Sequence, residues 1–189
     1  DTVLIHNAAA LGNFDPERVR EALRNILESQ VAGRVGVSVY DEIELEEWVT
    51  SIPEIAVVQI PGSVVDRRIL DSPVLDQARA ASVEVHVRSA FLQGVLLAEP
   101  GSLPARVAGL NTLVAEVRRT AEEAQCELVG ALLAFVRDHK SVDKVVIGAL
   151  GPDQLESSVR AWSAPGCDWS GLDSTGWAGL VDPRRWPPA

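Results

Sequence analysis

Methionine is absent from all 189 positions, and the chain opens at Asp1, immediately before an apolar run. The expectation is that residues have been removed by processing, or that this is the later part of a longer protein. Only two cysteines occur, Cys126 and Cys167, far apart and without zinc-ligand spacing. They are expected to be unpaired thiols in a reducing compartment. Positive charge is also scarce: 17 Lys and Arg stand against 27 Asp and Glu, for a formal net charge of -10. A phosphate backbone or an anionic membrane demands a basic face, so the composition argues against nucleic acid and membrane as partners. No apolar run approaches the roughly 20 residues of a membrane span, and no basic-then-apolar leader begins the chain. A cytoplasmic protein is the expectation. The one tyrosine, Tyr40, has no lysine or aspartate arranged to lower its pKa as an acid catalyst would need.

What is present is apolar content, 47% of the chain, and enough length for one domain to bury a core without staples. Short apolar runs alternate with amphipathic stretches as far as Trp162, the pattern of consecutive βα units around a parallel sheet. Strands are predicted at Thr2 to His6, Arg34 to Ser38, Ala56 to Ile60, Val83 to Arg88 and Lys144 to Ile147. The helix after the first strand starts near Asp15, which caps it, with Pro16 at the first helical position. Val19, Ala22, Leu23, Ile26 and Leu27 recur at helical spacing behind them. Ile43, Leu45 and Trp48 mark the second helix, and Ser72-Pro73 starts the third. Further helices are expected at Pro104 to about Ala124, Glu127 to Asp138, and Pro152 to about Trp162. From Ser163 onward, proline and glycine predict an irregular tail, whose three tryptophans require something to pack on. Five βα units form either an open doubly wound sheet or a contiguous arc of an eight-unit barrel. Periodicity alone leaves both open.

Parallel β/α folds place their sites at the carboxyl ends of strands. Here those ends carry His6 and Asn7, Ser38, Gln59, Arg88 and Ser89, and the turn from Gly148 to Gly151. His6 is either a packed histidine or an imidazole that donates a hydrogen bond to a substrate carbonyl and stabilises developing charge. Gly148-Ala149-Leu150-Gly151-Pro152 before a helix offers N–H groups and a positive dipole end to a phosphate. The spacing GxGxxG does not occur. Arg34, Arg67, Arg68 and Arg88 are candidates for binding an anionic cofactor, although Asp66 offers one of the middle pair a local ion pair. His86 and His139 read as structural or solvated.

Taken together, LIHN, RVGVSVYD, VVQIPGSVVDRRIL, VEVHVRSAFLQGVLL, KVVIGALGPDQLESSV and the closing DPRRWP resemble the aldo-keto reductase superfamily, from its fourth strand to its carboxyl terminus. The resemblance implies an α/β fold, a parallel β/α barrel of the TIM type, present here as about five of eight βα units. Residues 1–162 would be the partial barrel and 163–189 a tail packing on it. It also implies an oxidoreductase that reduces an aldehyde or ketone with NADP, NAD being the other candidate, and that holds no metal. By that similarity His6 matches the histidine that polarises the carbonyl. Ser38 and Gln59 match the residues holding the nicotinamide carboxamide, with Val39 standing where the family has asparagine. Arg88 takes the position of a tyrosine that stacks on the nicotinamide. Ser89, Phe91, Gln93 and Gly94 fall in the pyrophosphate loop, and Gly148, Ala149, Leu150, Gly151, Gln154 and Ser158 in the segment for the adenosine end. The lysine and arginine that the family often carries there for a 2′-phosphate do not occur.

The family's catalytic tyrosine, lysine and aspartate lie on its first three βα units, which these 189 residues do not contain. Alone, the chain is expected to be inactive. Completion of the barrel by a missing amino-terminal segment or by a homo-oligomer is one expectation. Alternatives are a non-catalytic short homologue binding a nucleotide or a partner chain, and a pure assembly module that closes against another chain.

Overall fold

Five parallel strands lie in the order β1-β2-β3-β4-β5, each beside its neighbour in sequence. A doubly wound sheet reverses its strand order at a switch point, and this sheet does not, so the arc reading holds. The computed structural model describes residues 1–8, 15–173 and 175–187. The chain divides into two compact units. One, the sheet unit, comprises Asp1–Pro61, Arg68–Arg88 and Lys140–Val145; the other, the helical unit, comprises Gly62–Arg67, Ser89–His139 and Val146–Ala189.

The sheet unit holds β1 (Thr2–Ile5), β2 (Arg34–Ser38), β3 (Ile55–Pro61), β4 (Glu84–Arg88) and β5 (Lys144–Val145), with α1 (Pro16–Glu28), α2 (Glu42–Ser51) and α3 (Pro73–Ala80). Val35, Val37, Val57, Val58, Ile60, Val85 and Val87 have no exposed surface, as near-continuous β-branched runs in a parallel sheet require. Gly36 is needed where β2 crosses between its neighbours. A Cβ there would lie 2.3 Å from the Val57 carbonyl oxygen and 2.6 Å from Leu4 Cδ2. Local chemistry starts each helix: Asp15 accepts from the Glu17 N–H, Asp41 from Glu44 and Ser72 from Val74. Glu44 in turn accepts from the Tyr40 N–H at 2.7 Å, so the entry to α2 is closed from both directions.

Several expected boundaries differ. The first strand stops at Ile5, and the last spans Lys144–Val145 instead of reaching Ile147. Two residue pairs join β5 to β4, and Val146, just past the strand, is 41% exposed. Ile43 is 78% exposed, because α2 turns Leu45 and Trp48 inward and Ile43 away.

The helical unit contains α4 (Leu110–Glu123), α5 (Leu128–Arg137) and α6 (Pro152–Ala161). Helix α4 begins at Leu110 and not at Pro104, since Gly109 at φ 94° turns the chain immediately before it. Leu92, Leu96, Leu113, Val117, Leu132 and Trp169 belong to one buried cluster in this unit. Trp177 and Trp186 of the tail pack against the same cluster. Gly130 permits a close approach in α5, because a Cβ there would lie 2.4 Å from that of Ala164.

Candidate functional site

In the sheet unit, the carboxyl ends of β2, β3 and β4 bring three of the predicted residues together. Ser38 and Gln59 are register partners, a consequence of parallel pairing between β2 and β3. The Ser38 hydroxyl and Gln59 Oε1 stand 3.5 Å apart, the limit of a hydrogen bond. Arg88 reaches across from the end of β4: its Nε donates to Ser38 Oγ at 3.3 Å and its Nη2 to the Val39 carbonyl at 3.2 Å. The guanidinium lies over the Tyr40 ring, 4.2 Å from its centroid. Arginine suits this place because its planar fork can stack and donate at once. Val39 is buried and brings no polar side-chain atom.

His6 lies one residue past β1, and the pairing of Ile5 with Val37 sets it level with Ser38. It is exposed.

At the amino ends of the same strands lies a cluster that sequence reasoning missed. Glu84 opens β4, and its carboxylate is bonded by Arg34 from the start of β2, by His86 Nε2 at 2.6 Å and by Lys144 Nζ, from the start of β5, at 2.6 Å. Hydrogen bonds from Lys144, His86 and Arg34 hold the Glu84 carboxyl down at about 2. Arg34 therefore spends its charge on Glu84. It stands four residues before Ser38, roughly 13 Å at the rise of a strand, and does not serve an anion at the carboxyl ends. His86 is structural, as read from its strand position. The signal available in the sequence was the alternation of Glu84, His86 and Arg88 on one face of β4.

In the helical unit, the segment after β4 is shaped by unusual backbone. Ser89, Leu92 and Gln93 have φ of 65°, 47° and 55°, and Gly94 follows at 86°. Three side-chain-bearing residues in the left-handed region within six positions is a costly arrangement, of the kind that clusters at binding loops. Leu92 is buried and Phe91 packs on the core, which fixes the loop, while Gln93 and Gly94 are exposed. Arg67, another predicted anion ligand, is held otherwise: it donates to the carbonyls of Val64 and Trp169 and lies 4.8 Å from the Phe135 ring centroid.

Gly148, Ala149 and Leu150 are exposed, Leu150 almost completely, and Gly151 caps α6 without a side chain. The Leu150 N–H donates to Gln154 Oε1 at 2.8 Å, and Pro152 has no N–H, so this turn offers fewer bare donors than its glycines imply. Ser158 is buried on α6. Among the described residues no group of three or more His, Cys, Asp or Glu is placed to hold a metal ion. Among the described residues no helix is long and apolar enough to cross a membrane.

Residues 2–168 match the model of the aldo/keto reductase family. No curated protein matches the chain in sequence. Among solved structures, the holo form of the aldo-keto reductase AKR11C1 from Bacillus halodurans superposes with a TM-score of 0.72 at 21% identity. That match covers 89% of this chain and 57% of the other. The glycerol dehydrogenase AKR11B4 from Gluconobacter oxydans gives 0.63 at 19% identity, covering 89% of this chain and 54% of its own. The chain thus spans little more than half the length of the solved structures it resembles. The parallel sheet with its alternating helices is their fold, and the 189-residue chain belongs to the aldo/keto reductase family.

Proposed function

We propose that this chain is the carbonyl-orienting and cofactor-binding part of an oxidoreductase that reduces an aldehyde or ketone with NADPH or NADH. The observation that carries the reading is the paired Ser38 hydroxyl and Gln59 carboxamide at neighbouring strand ends, braced by Arg88. A primary carboxamide presents both donors and an acceptor. A hydroxyl beside an amide side chain matches that set, so these residues fit the nicotinamide end of the cofactor. In the helical unit, the proposal assigns Ser89, Phe91, Gln93 and Gly94 to the pyrophosphate, and Gly148, Ala149, Leu150, Gly151, Gln154 and Ser158 to the adenosine end. Bound there, the cofactor supplies hydride. The chain's own part is to orient the carboxamide and, through the exposed imidazole of His6, to donate a hydrogen bond to the substrate carbonyl oxygen.

The proton is proposed to come from elsewhere. Tyr40, the only tyrosine, lies beneath the Arg88 guanidinium and is committed to that stack. An acid on a preceding segment, or on a chain that completes the barrel, is part of the proposal, as is the reading of residues 1–162 as the barrel portion. A cytoplasmic setting belongs to the same reading. The lack of lysine and arginine from Gly148 to Ser158 supports NAD as readily as NADP.

Fluorescence titration with each reduced cofactor tests this, using the chain alone and the chain preceded by the three further βα units of its family. Tight binding and carbonyl reduction are expected only in the extended protein, where His6→Ala lowers turnover and leaves melting unchanged. Absence of cofactor binding in a folded extended protein overturns the proposal. A second reading, assembly without turnover, draws on the stripe of Leu155 and Val159 on α6 with Trp162 at its C-cap, which are 51%, 64% and 41% exposed. A stable oligomer of the chain with no affinity for either nucleotide is the result that selects it.

A further inference from the structure

We infer that Arg88 makes the Ser38–Gln59 site discriminate between the two redox states of its cofactor, weakening its hold on the oxidised nicotinamide relative to the reduced one. This rests on reading that pair as the nicotinamide end of the site, and it adds a selectivity which that reading does not contain. Every residue involved lies in the sheet unit.

Arg88 carries its charge at the carboxamide-binding pair itself. Its Nε donates to Ser38 Oγ at 3.3 Å, its Nη2 donates to the Val39 carbonyl at 3.2 Å, and its guanidinium carbon lies 4.2 Å from the Tyr40 ring centroid. Contacts to three consecutive residues keep the guanidinium from swinging away. Tyr40 is fixed in turn, since its N–H donates to the Glu44 carboxylate at 2.7 Å. Ser38 is 2% exposed and Val39 has no exposed surface, so the charge rests on buried atoms, where screening by water is weak. A guanidinium is charged at any working pH, which makes the field permanent.

The oxidised nicotinamide ring carries one positive charge and the reduced ring carries none, while carboxamide, ribose and pyrophosphate are the same in both forms. The carboxamide carbon is bonded directly to that ring, so residues that hold the carboxamide also hold the ring's charge close by. A guanidinium hydrogen-bonded to Ser38 therefore repels the oxidised ring and is indifferent to the reduced one. Two unit charges about 7 Å apart at an effective dielectric of about 40 repel enough to change a dissociation constant about eightfold. Other charges lie nearby: Glu44 at the Tyr40 N–H, Asp41 at the start of α2, and Glu84 two residues before Arg88, bonded by Arg34, His86 and Lys144. They set the overall preference of the site, whereas removing one positive charge moves it toward the oxidised form whatever surrounds that charge. After the hydride has gone, the site repels what it holds and releases the oxidised cofactor faster. For the same reason the potential of the bound two-electron couple rises, by about 30 mV for each tenfold preference.

Calorimetric titration of the extended protein with NADH, NAD+, NADPH and NADP+ tests this, read as the ratio of the oxidised to the reduced dissociation constant. Arg88→Gln keeps hydrogen-bonding groups and loses the charge, while Arg88→Lys keeps the charge and loses the planar fork. Glutamine is expected to lower the ratio about eightfold, and the potential of the bound couple by about 27 mV, chiefly by tightening the oxidised form. Arg88→Met, also neutral, is expected to move the ratio in the same direction, and lysine to hold it within about threefold of the unaltered protein. Equal weakening of both forms, or a change below about threefold in the two neutral variants, overturns the inference and leaves the cofactor reading intact. A ratio that lysine lowers as far as glutamine does also overturns it, because the fork and not the charge would then decide. A folded extended protein that binds none of the four nucleotides overturns the cofactor reading and this inference with it.

Discussion

The sheet unit and the helical unit hold their strand-end residues by opposite means. In the sheet unit, Ser38, Gln59 and Arg88 stand on regular register and are fixed by side chains that touch one another. In the helical unit, residues 89–94 take their shape from backbone, with left-handed torsions at Ser89, Leu92, Gln93 and Gly94, and are anchored by the packing of Phe91 and Leu92. The difference teaches where each region is vulnerable. Side-chain wiring fails when a partner is deleted, whereas a torsional loop fails when the wrong residue is asked to adopt the torsion.

The largest expected effect lies beneath the wired site. Gly36→Ala places a methyl 2.3 Å from the Val57 carbonyl oxygen, in a strand pinned on both sides. A loss of about 3 kcal/mol or more in urea unfolding is expected, as for other overpacked cores. A loss below about 1 kcal/mol would mean that β2 yields easily, and the contrast between a rigid sheet and a torsional loop would weaken.

Next comes Arg88→Leu, which removes two hydrogen bonds and the stack on Tyr40. About 2 kcal/mol is expected, since the lost contacts are each worth roughly 0.5–1.5 kcal/mol. Arg88→Lys keeps the charge and loses the planar fork, so it should recover less than half of that. Full recovery by lysine would show that charge alone braces Ser38.

The Glu84 cluster gives a pH-dependent comparison at the other end of the same strands. Its folded pKa, about 2, lies below the ordinary value of 4.5. The stabilisation is therefore complete above about pH 4.5 and is lost as the pH falls toward 2. Because the side chain is 24% exposed, solvent screening reduces the gain to about 1 kcal/mol. Glu84→Gln should remove that part of the acid sensitivity between pH 6 and pH 3, measured by urea midpoints. Parallel pH curves for the two proteins would show that Arg34, His86 and Lys144 contribute nothing net through Glu84.

The smallest effect belongs to the torsional loop. Gly94→Ala has open space around its new methyl but must hold φ at 86°, so a loss of about 1 kcal/mol is expected from torsion alone. An unchanged melting temperature would show that the loop relaxes to another conformation at no cost.

Helix starts were legible in the sequence because capping is local. Asp15 with Pro16, Asp41, and Ser72 with Pro73 each meet N–H groups within three residues. Strand ends were nearly as legible, since an apolar run stops where a polar residue begins, and this located His6, Ser38 and Arg88, while Gln59 stood out as the polar residue within an apolar strand. The family motifs told which of those residues to group. Arg34 was misjudged because its partner lies 50 residues away, and nothing near it in the chain announces a carboxylate. The six positions ahead of Leu110 were misjudged because Pro104 suits a helix start while Gly109 turns the chain after it.

Composition, caps and the alternation of apolar with polar residues depend on neighbours along the chain, so they settled the βα order and the kind of residue at each strand end. Contacts across the sheet and between helices depend on distances that the chain closes only by folding. Tertiary structure alone decided that Arg88 would lie on Tyr40 and that Glu84 would gather Arg34, His86 and Lys144.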